Sequence, residues 1–103
     1  MRVIWQKNAI RQRDQIAEYV RQEFGTKRKT RFLKELRNSI NMLRNSPYIG
    51  KVDPLFTGRT HTYRSIIYNN LNKIIYRIDD DTIHIVAFWD TRMEPEEQAR
   101  QVK

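Results

Sequence analysis

The chain has 103 residues, 39% of them hydrophobic, which is enough for one small domain built around a single core. Twenty Lys and Arg against 12 Asp and Glu give a net charge of +8, and such a bias attracts polyanions such as nucleic acids or acidic proteins. Cys is absent and His occurs twice, which excludes disulfides and thiolate metal sites, so we expect neither metal nor cofactor. No run approaches the ~20 apolar residues of a membrane span and the N-terminus is unlike a signal peptide, so we expect a cytoplasmic protein.

The first half of the chain predicts a short strand followed by two helices. Residues 2–5 alternate in the manner of a strand. From Asn8, a residue type that caps helices, apolar residues repeat at helical spacing until Gly25. Thr26 can cap a second helix, whose apolar stripe continues to Asn45-Ser46-Pro47. Neither helix can bury its stripe against the other alone, so another layer must cover both.

The second half predicts that layer. Three β-rich runs, Thr60–Tyr68, Lys73–Ile78 and Thr82–Trp89, are separated by Asn69–Asn72 and by the acidic turn Asp79–Asp81. Short turns of this kind predict an antiparallel meander. Simple alternation in the last run places four residues on one face, namely Ile83, Ile85, Ala87 and Trp89.

The expected fold class is therefore α+β, in one domain over residues 1–103. A short N-terminal strand and a two-helix hairpin come first, and the helices pack on one face of an antiparallel sheet of three or four strands. We expect the other face of the sheet to be open. A short helix or tail is expected from Glu94 onwards.

Several local patterns accompany this order of elements. Trp5 precedes the first helix, Pro47 is followed by Gly50-Lys51, and the strands read YRSI at 63–66 and KIIYRI at 73–78. The apolar strand then runs into DTRMEP at 90–95. From Val3 to about Pro95 the chain resembles the RelE/ParE superfamily of type II toxin–antitoxin modules, which includes plasmid stabilisation toxins.

The resemblance implies a growth-inhibiting toxin and leaves its target open. RelE-like members cut messenger RNA in the ribosomal A site, whereas ParE-like members poison DNA gyrase and are not hydrolases. We take a ribosome-dependent messenger RNA endoribonuclease as the first hypothesis and a non-enzymatic gyrase inhibitor as the alternative. A small basic nucleic-acid-binding domain is a third. The implied partners are an acidic antitoxin and either the ribosome with its message or gyrase, without a membrane, and the free toxin is expected to be a monomer or homodimer.

In the endoribonuclease hypothesis, three basic residues are the catalytic candidates. RelE-like enzymes carry basic side chains on the sheet face away from the helices and near the C-terminus, and the matching positions here are Arg64, Lys73 and Arg92. Arginine suits phosphate because its planar fork binds two oxygens and keeps its charge. An exposed strand cation or a local ion pair is the simpler interpretation of each.

A general base is harder to find in this sequence. RelE-like enzymes often carry Tyr or His beyond the C-terminal arginine, and this chain has neither there. Glu94, His61 and His84 are weak substitutes, since each has an ordinary structural interpretation. The missing base favours the gyrase alternative.

Six further residues are candidates for nucleic-acid contact. Strand aromatics are mostly core, so we expect Tyr76 and Trp89 to pack under the helices, while Tyr63 and Tyr68 remain as possible base-stacking residues. Basic residues crowd the second helix with few acids nearby, which indicates either a solvated face or a binding patch. The candidates are Arg77, Tyr63, Tyr68, Lys27, Arg31 and Lys34.

Overall fold

The computed structural model describes residues 1–68, 72–91 and 94–102, with only the backbone of Gln101. In chain order the elements are β1 (Arg2–Trp5), α1 (Lys7–Phe24), α2 (Thr26–Asn45), β2 (Lys51–Val52), a 3₁₀ turn (Pro54–Phe56), β3 (Arg64–Tyr68), β4 (Asn72–Asp79), β5 (Thr82–Asp90) and α3 (Pro95–Gln101). None of the described helices is long and apolar enough to span a membrane.

The strands form one five-stranded sheet in the order β1-β5-β4-β3-β2. Strands β2 to β5 pair antiparallel, whereas β1 lies parallel to β5. The predicted α+β fold, with two helices on a sheet, is confirmed. The sheet is mixed and has more strands than expected, because β1 joins the far edge beside the last strand and the two-residue β2 extends the other edge.

The two helices begin and end close to the predicted positions. Helix α1 starts at Lys7, and the N–H of Gln6 donates to the Ile85 carbonyl at 2.9 Å, which ties the helix start to β5. Asn8 therefore lies inside the first turn and does not cap it. Gly25 alone joins the helices, and its φ of +94° is a conformation that other residues adopt at a cost. Thr26 is accordingly the first residue of α2.

The main core lies between the helices and one face of the sheet. Helix α2 contributes Phe32, Leu36, Ile40 and Leu43, all buried, as the predicted stripe requires. The ring of Phe32 packs against Phe88 of β5 with 6.2 Å between centroids. From the sheet, this core takes Ile66, Tyr68, Ile74, Tyr76, Ile78, Ile83, Ile85 and Phe88.

A β-bulge changes which residues of β5 face the helices. Ile75 of β4 pairs with Ala87 and the next residue, Tyr76, pairs with Ile85, so Val86 is an extra residue without a counterpart. The insertion reverses the alternation of side chains beyond it. The expectation of one continuous face was therefore wrong: Ile83, Ile85 and Phe88 face the helices, whereas Ala87 and Trp89 face the other side.

The second face of the sheet is also partly covered, contrary to expectation. The segment 54–63 and the C-terminal helix α3 fold over it and bury a second core, so Trp89 is 1% exposed although it lies on the face away from the main core. Arg59 fastens this cover, because its guanidinium donates to the carbonyls of Ala99 and Val102 at the end of α3. The second core comprises Leu55, Phe56, Tyr63, Ile75, Val86, Ala87, Trp89 and Val102.

A buried glutamine closes the edge of β5 beyond the end of β1. The pairing of β1 with β5 stops at Trp5 opposite Ile85, so β1 provides no hydrogen-bond acceptor for the N–H of Phe88. The side chain of Gln12 in α1 accepts a hydrogen bond from it at 2.9 Å and is 7% exposed. We expect Gln12→Leu to lower the free energy of unfolding by about 1–3 kcal/mol, because a buried donor is left without a partner.

Chemical denaturation of the purified protein measures this change. The matched control is Gln15→Leu in the exposed part of the same helix, where we expect a change within about 0.5 kcal/mol. Equal effects of the two substitutions would contradict the role of Gln12 as hydrogen-bond acceptor for the Phe88 N–H.

Candidate functional site

Arg64 lies on the helix-facing side of β3, next to the loop that follows α2. It pairs with Tyr76, which points into the main core, so both side chains share that face. Its guanidinium donates to the Gly50 carbonyl at 2.8 Å and lies over the ring of Tyr48, 5.1 Å from the centroid. Arg64 therefore helps to hold the loop between α2 and β2.

Tyr76 also holds the loop between α2 and β2, through hydrogen bonds of its hydroxyl. Its hydroxyl donates to the Pro47 carbonyl at 2.8 Å and accepts from the Gly50 N–H at 2.9 Å. A Cβ atom on Gly50 would lie 2.5 Å from that hydroxyl, so the close approach requires glycine. Burial raises the pKa of Tyr76, although the Gly50 N–H and the charge of Arg64 oppose the rise. The Pro47 and Gly50-Lys51 pattern in the sequence is thus explained by packing.

Lys73 points from the opposite face of the sheet into a buried ion pair. It pairs across the strands with Ile67 and Trp89, and its ammonium lies 2.6 Å from Asp53 Oδ2 and 3.1 Å from Gln98 Oε1. The side chains of Lys73 and Asp53 are 14% and 4% exposed. Its positive charge is therefore neutralised locally.

The carboxylate of Asp53 is held by several donors. Its Oδ1 accepts from the Leu55 N–H at 3.0 Å, where it caps the 3₁₀ turn. Burial acts to raise the pKa of Asp53, but the hydrogen bonds from Lys73 and Leu55 and the charge of Lys73 outweigh it, so the pKa lies below its usual value. Together with the contact between Lys73 and Gln98, this pair links the residue after β2 to β4 and α3.

The expected catalytic cluster is not brought together by the described residues. Arg64 and Lys73 were both expected on the sheet face away from the helices, and that placement was wrong for Arg64. The physical reason is the register of β3, in which Arg64, Ile66 and Tyr68 alternate onto the core side. Arg92, the third candidate, lies outside the described residues.

The two tyrosines considered for base stacking are both buried. Tyr63 is 4% exposed and packs against Phe56 in the second core, with 5.2 Å between ring centroids. Tyr68 is 5% exposed, and its hydroxyl donates to the Phe32 carbonyl at 2.8 Å. Burial, followed by the nearby charge of Glu35, raises the pKa of Tyr68 to about 12. Neither ring has a free face for a base. Trp89 was expected under the helices and lies in the second core instead.

The basic residues of α2 form an exposed row. Lys27, Arg31 and Lys34 are spaced along one side of the helix and all three are exposed. Arg31 is paired with Glu35 at 3.1 Å. This row has the character of a solvated face, as the simpler interpretation of the sequence holds.

Arg77 of β4 lines a cleft beside the second core. The cleft has a volume of about 530 Å³ and lies between the start of α1, β4, the residues before β3 and the end of α3. The sequence indicated Arg77 as a candidate for nucleic-acid contact, whereas no sequence pattern indicated Arg11 or Arg100. The lining residues are Gln6, Asn8, Arg11, His61, Tyr63, Arg77, Val86, Arg100 and Val102.

Asp79 lies next to three polar side chains at this cleft or near it, namely Arg77, His61 and His84. Its carboxylate is in ion-pair contact with Arg77, and the ring nitrogens of His84 and His61 lie 3.7 and 3.9 Å from it. Burial lowers the pKa of His84, and the charges of Arg77, His61 and Arg2 add to the effect. Both effects favour the neutral form of the His84 ring. Glu94, the remaining candidate base, is exposed before α3.

Comparisons with known proteins agree with this architecture. Residues 3–95 match the family model described as ParE toxin of the type II toxin–antitoxin system parDE. A solved structure titled as the chromosomal ParDE TA system from P. aeruginosa superimposes with a TM-score of 0.71. It is 14% identical in sequence, and the match covers 87% of this chain and 95% of that one, so it supports the shared fold. A search of curated proteins found no match. Since the family model spans most of the sequence, the chain belongs to the ParE toxin family of type II toxin–antitoxin systems.

Proposed function

We propose that this toxin stops growth as a non-enzymatic inhibitor of DNA gyrase in the cytoplasm. The observation that carries the proposal is the separation of Arg64 and Lys73 onto opposite faces of the sheet. Phosphate cleavage needs its charged groups within reach of one reacting phosphate. ParE-like toxins need no such constellation, because they act by binding.

The surroundings of the two residues support the same choice. Lys73 is nearly buried and neutralised by Asp53, and Arg64 is engaged with the Gly50 carbonyl and the Tyr48 ring. Each side chain already has a structural task. Neither offers a free guanidinium or ammonium to a scissile phosphate.

The proposed second partner is a cognate antitoxin of acidic character. The net charge of +8 speeds association with a negatively charged segment, and toxin–antitoxin membership supplies the context. Antitoxin binding is proposed to keep the toxin from gyrase until the antitoxin is degraded.

Purified toxin incubated with gyrase, ATP and supercoiled plasmid tests the proposal. We expect linear DNA to accumulate after detergent and protease treatment, because an inhibitor that traps the cleavage complex leaves the strands cut. Heat-denatured toxin is the control for the preparation. In cells, induction is expected to produce an SOS response while primer extension finds messages intact.

The opposite outcome identifies the enzymatic alternative. Cuts within translated codons, together with gyrase that relaxes and supercoils DNA normally, would reject gyrase inhibition and restore the endoribonuclease hypothesis.

A further inference from the structure

The cleft lined by Arg77 combines an apolar floor with a basic rim. Tyr63, Val86 and Val102 form the floor and are 4–5% exposed. The rim carries Arg11 of α1, Arg77 of β4 and Arg100 of α3. Its volume of about 530 Å³ is within the ~300–1,000 Å³ of typical ligand clefts. Three elements distant in sequence thus each contribute one arginine to the lining of this cleft.

The charge of this cleft is positive. No carboxylate is among the described residues that line it. Two of the arginines form ion pairs with acidic residues: Asp79 contacts Arg77, and the carboxylate of Glu97 lies 2.6 Å from the guanidinium of Arg100. Arg11 contacts the neutral amide of Asn8. Three arginines against two partnered acids leave an excess of positive charge directed into a concave surface, where the field is focused.

Arg77 is held in place before any ligand arrives. Its side chain is 16% exposed and its ion pair with Asp79 restricts the guanidinium. A guanidinium has five N–H donors, so a single carboxylate contact leaves others for the cleft. An immobilised arginine loses little entropy when it binds an anion, and that makes it an effective anchor.

We propose that this cleft binds a phosphodiester group of nucleic acid. Arginines from three elements line the cleft, and a phosphodiester presents two charged and two ester oxygens in a tetrahedral arrangement, of which the charged pair accepts charge-assisted hydrogen bonds. A carboxylate has its two oxygens in one plane, which suits the fork of a single guanidinium, so an acidic peptide fits an arrangement of several arginines less well.

This inference deepens the proposed function and rests on it for the source of the phosphate. In the trapped gyrase complex the phosphate comes from the DNA strand that gyrase has cut. The binding itself belongs to the toxin alone and can be measured without gyrase.

Fluorescence anisotropy of a labelled oligonucleotide with the purified full chain tests the binding. Single-stranded DNA, duplex DNA and RNA of one sequence are separate arms, which distinguish the sources of the phosphodiester. Arg11→Gln/Arg100→Gln removes two exposed rim charges and leaves the Arg77–Asp79 pair intact. We expect it to weaken binding about tenfold at low salt and to reduce the slope of log K against log salt by about 1–2.

The matched control is Lys27→Gln/Lys34→Gln, which removes the same charge from the exposed row of α2. We expect it to weaken binding less than about threefold, since it alters only the general attraction of a basic protein. Equal losses in the two double variants would overturn the proposal, as would competition by polyglutamate at the same charge concentration as the oligonucleotide. Thermal unfolding of both variants checks that each is folded.

The gyrase assay separates this inference from the proposed function. A cleft variant that binds oligonucleotide and traps gyrase as the wild type does overturns the cleft alone. A wild type that binds oligonucleotide through the cleft but never traps gyrase overturns the proposed function and leaves the cleft standing.

Discussion

Replacing Lys73 by methionine is expected to lower the free energy of unfolding by about 3–5 kcal/mol, because it strands the carboxylate of Asp53 in the protein interior. Asp53 is 4% exposed, and Lys73 provides its closest counter-charge at 2.6 Å. A buried charge without a partner is far more costly than a buried pair. Equilibrium denaturation at neutral pH measures the loss.

Two companion variants decide whether the ion pair is the cause. Asp53→Asn/Lys73→Met removes both charges, and we expect it to recover part of the stability that Lys73→Met loses. Lys51→Met removes an exposed lysine from the neighbouring strand β2 and is expected to change stability by less than about 0.5 kcal/mol. A double variant less stable than Lys73→Met would contradict the argument.

Acid provides a second test of the same pair. The pKa of Asp53 is lowered in the folded protein, so its contribution is complete above the unfolded-state value of about 3.9 and is lost as the pH falls through the folded-state value. The stability difference between wild type and the uncharged double variant should therefore shift against the wild type below about pH 4.

Trp89→Ala is expected to cost about 3–5 kcal/mol, because it empties the centre of the second core beneath α3. Trp89 is 1% exposed and packs against Phe56 with 6.2 Å between ring centroids. An open sheet face, as the sequence alone suggests, would make the same substitution much milder. Denaturant unfolding compares the variant with the wild type.

Ile67→Ala is the matched control for this substitution. Ile67, Lys73 and Trp89 lie in one row across β3, β4 and β5 on the same sheet face, yet Ile67 is 55% exposed. We expect its truncation to change stability by about 0.5 kcal/mol or less. Similar losses at both positions would show that α3 does not protect this face selectively.

Local patterns were sufficient for much of the fold. The helical spacing of apolar residues predicted α1 and α2, and Gly25 and Pro47 marked their ends within a residue or two. Period-two alternation predicted β3, β4 and most of β5. These features depend on neighbours within a few positions, which is the range over which sequence periodicity carries information. The strand and tail motifs also predicted the toxin family, which the family comparison confirmed.

Most of the candidate site could not be predicted from such local patterns. The Val86 bulge adds one residue, and nothing in the alternating run shows where an insertion reverses the two faces. Arg64 was assigned to the wrong face because its register with Tyr76 depends on strand pairing. The cleft could not be assembled from sequence either, since Arg11, Arg77 and Arg100 lie on separate elements.

By itself the sequence determined the α+β class, the helix hairpin, the basic character and the family of this toxin, because each follows from local periodicity, composition or contiguous motifs. Tertiary structure decided which face each strand arginine occupies, that Lys73 is neutralised by Asp53, and that α3 closes over Trp89. Those outcomes arise from pairing register and from contacts between distant segments, and such contacts leave no local pattern to read.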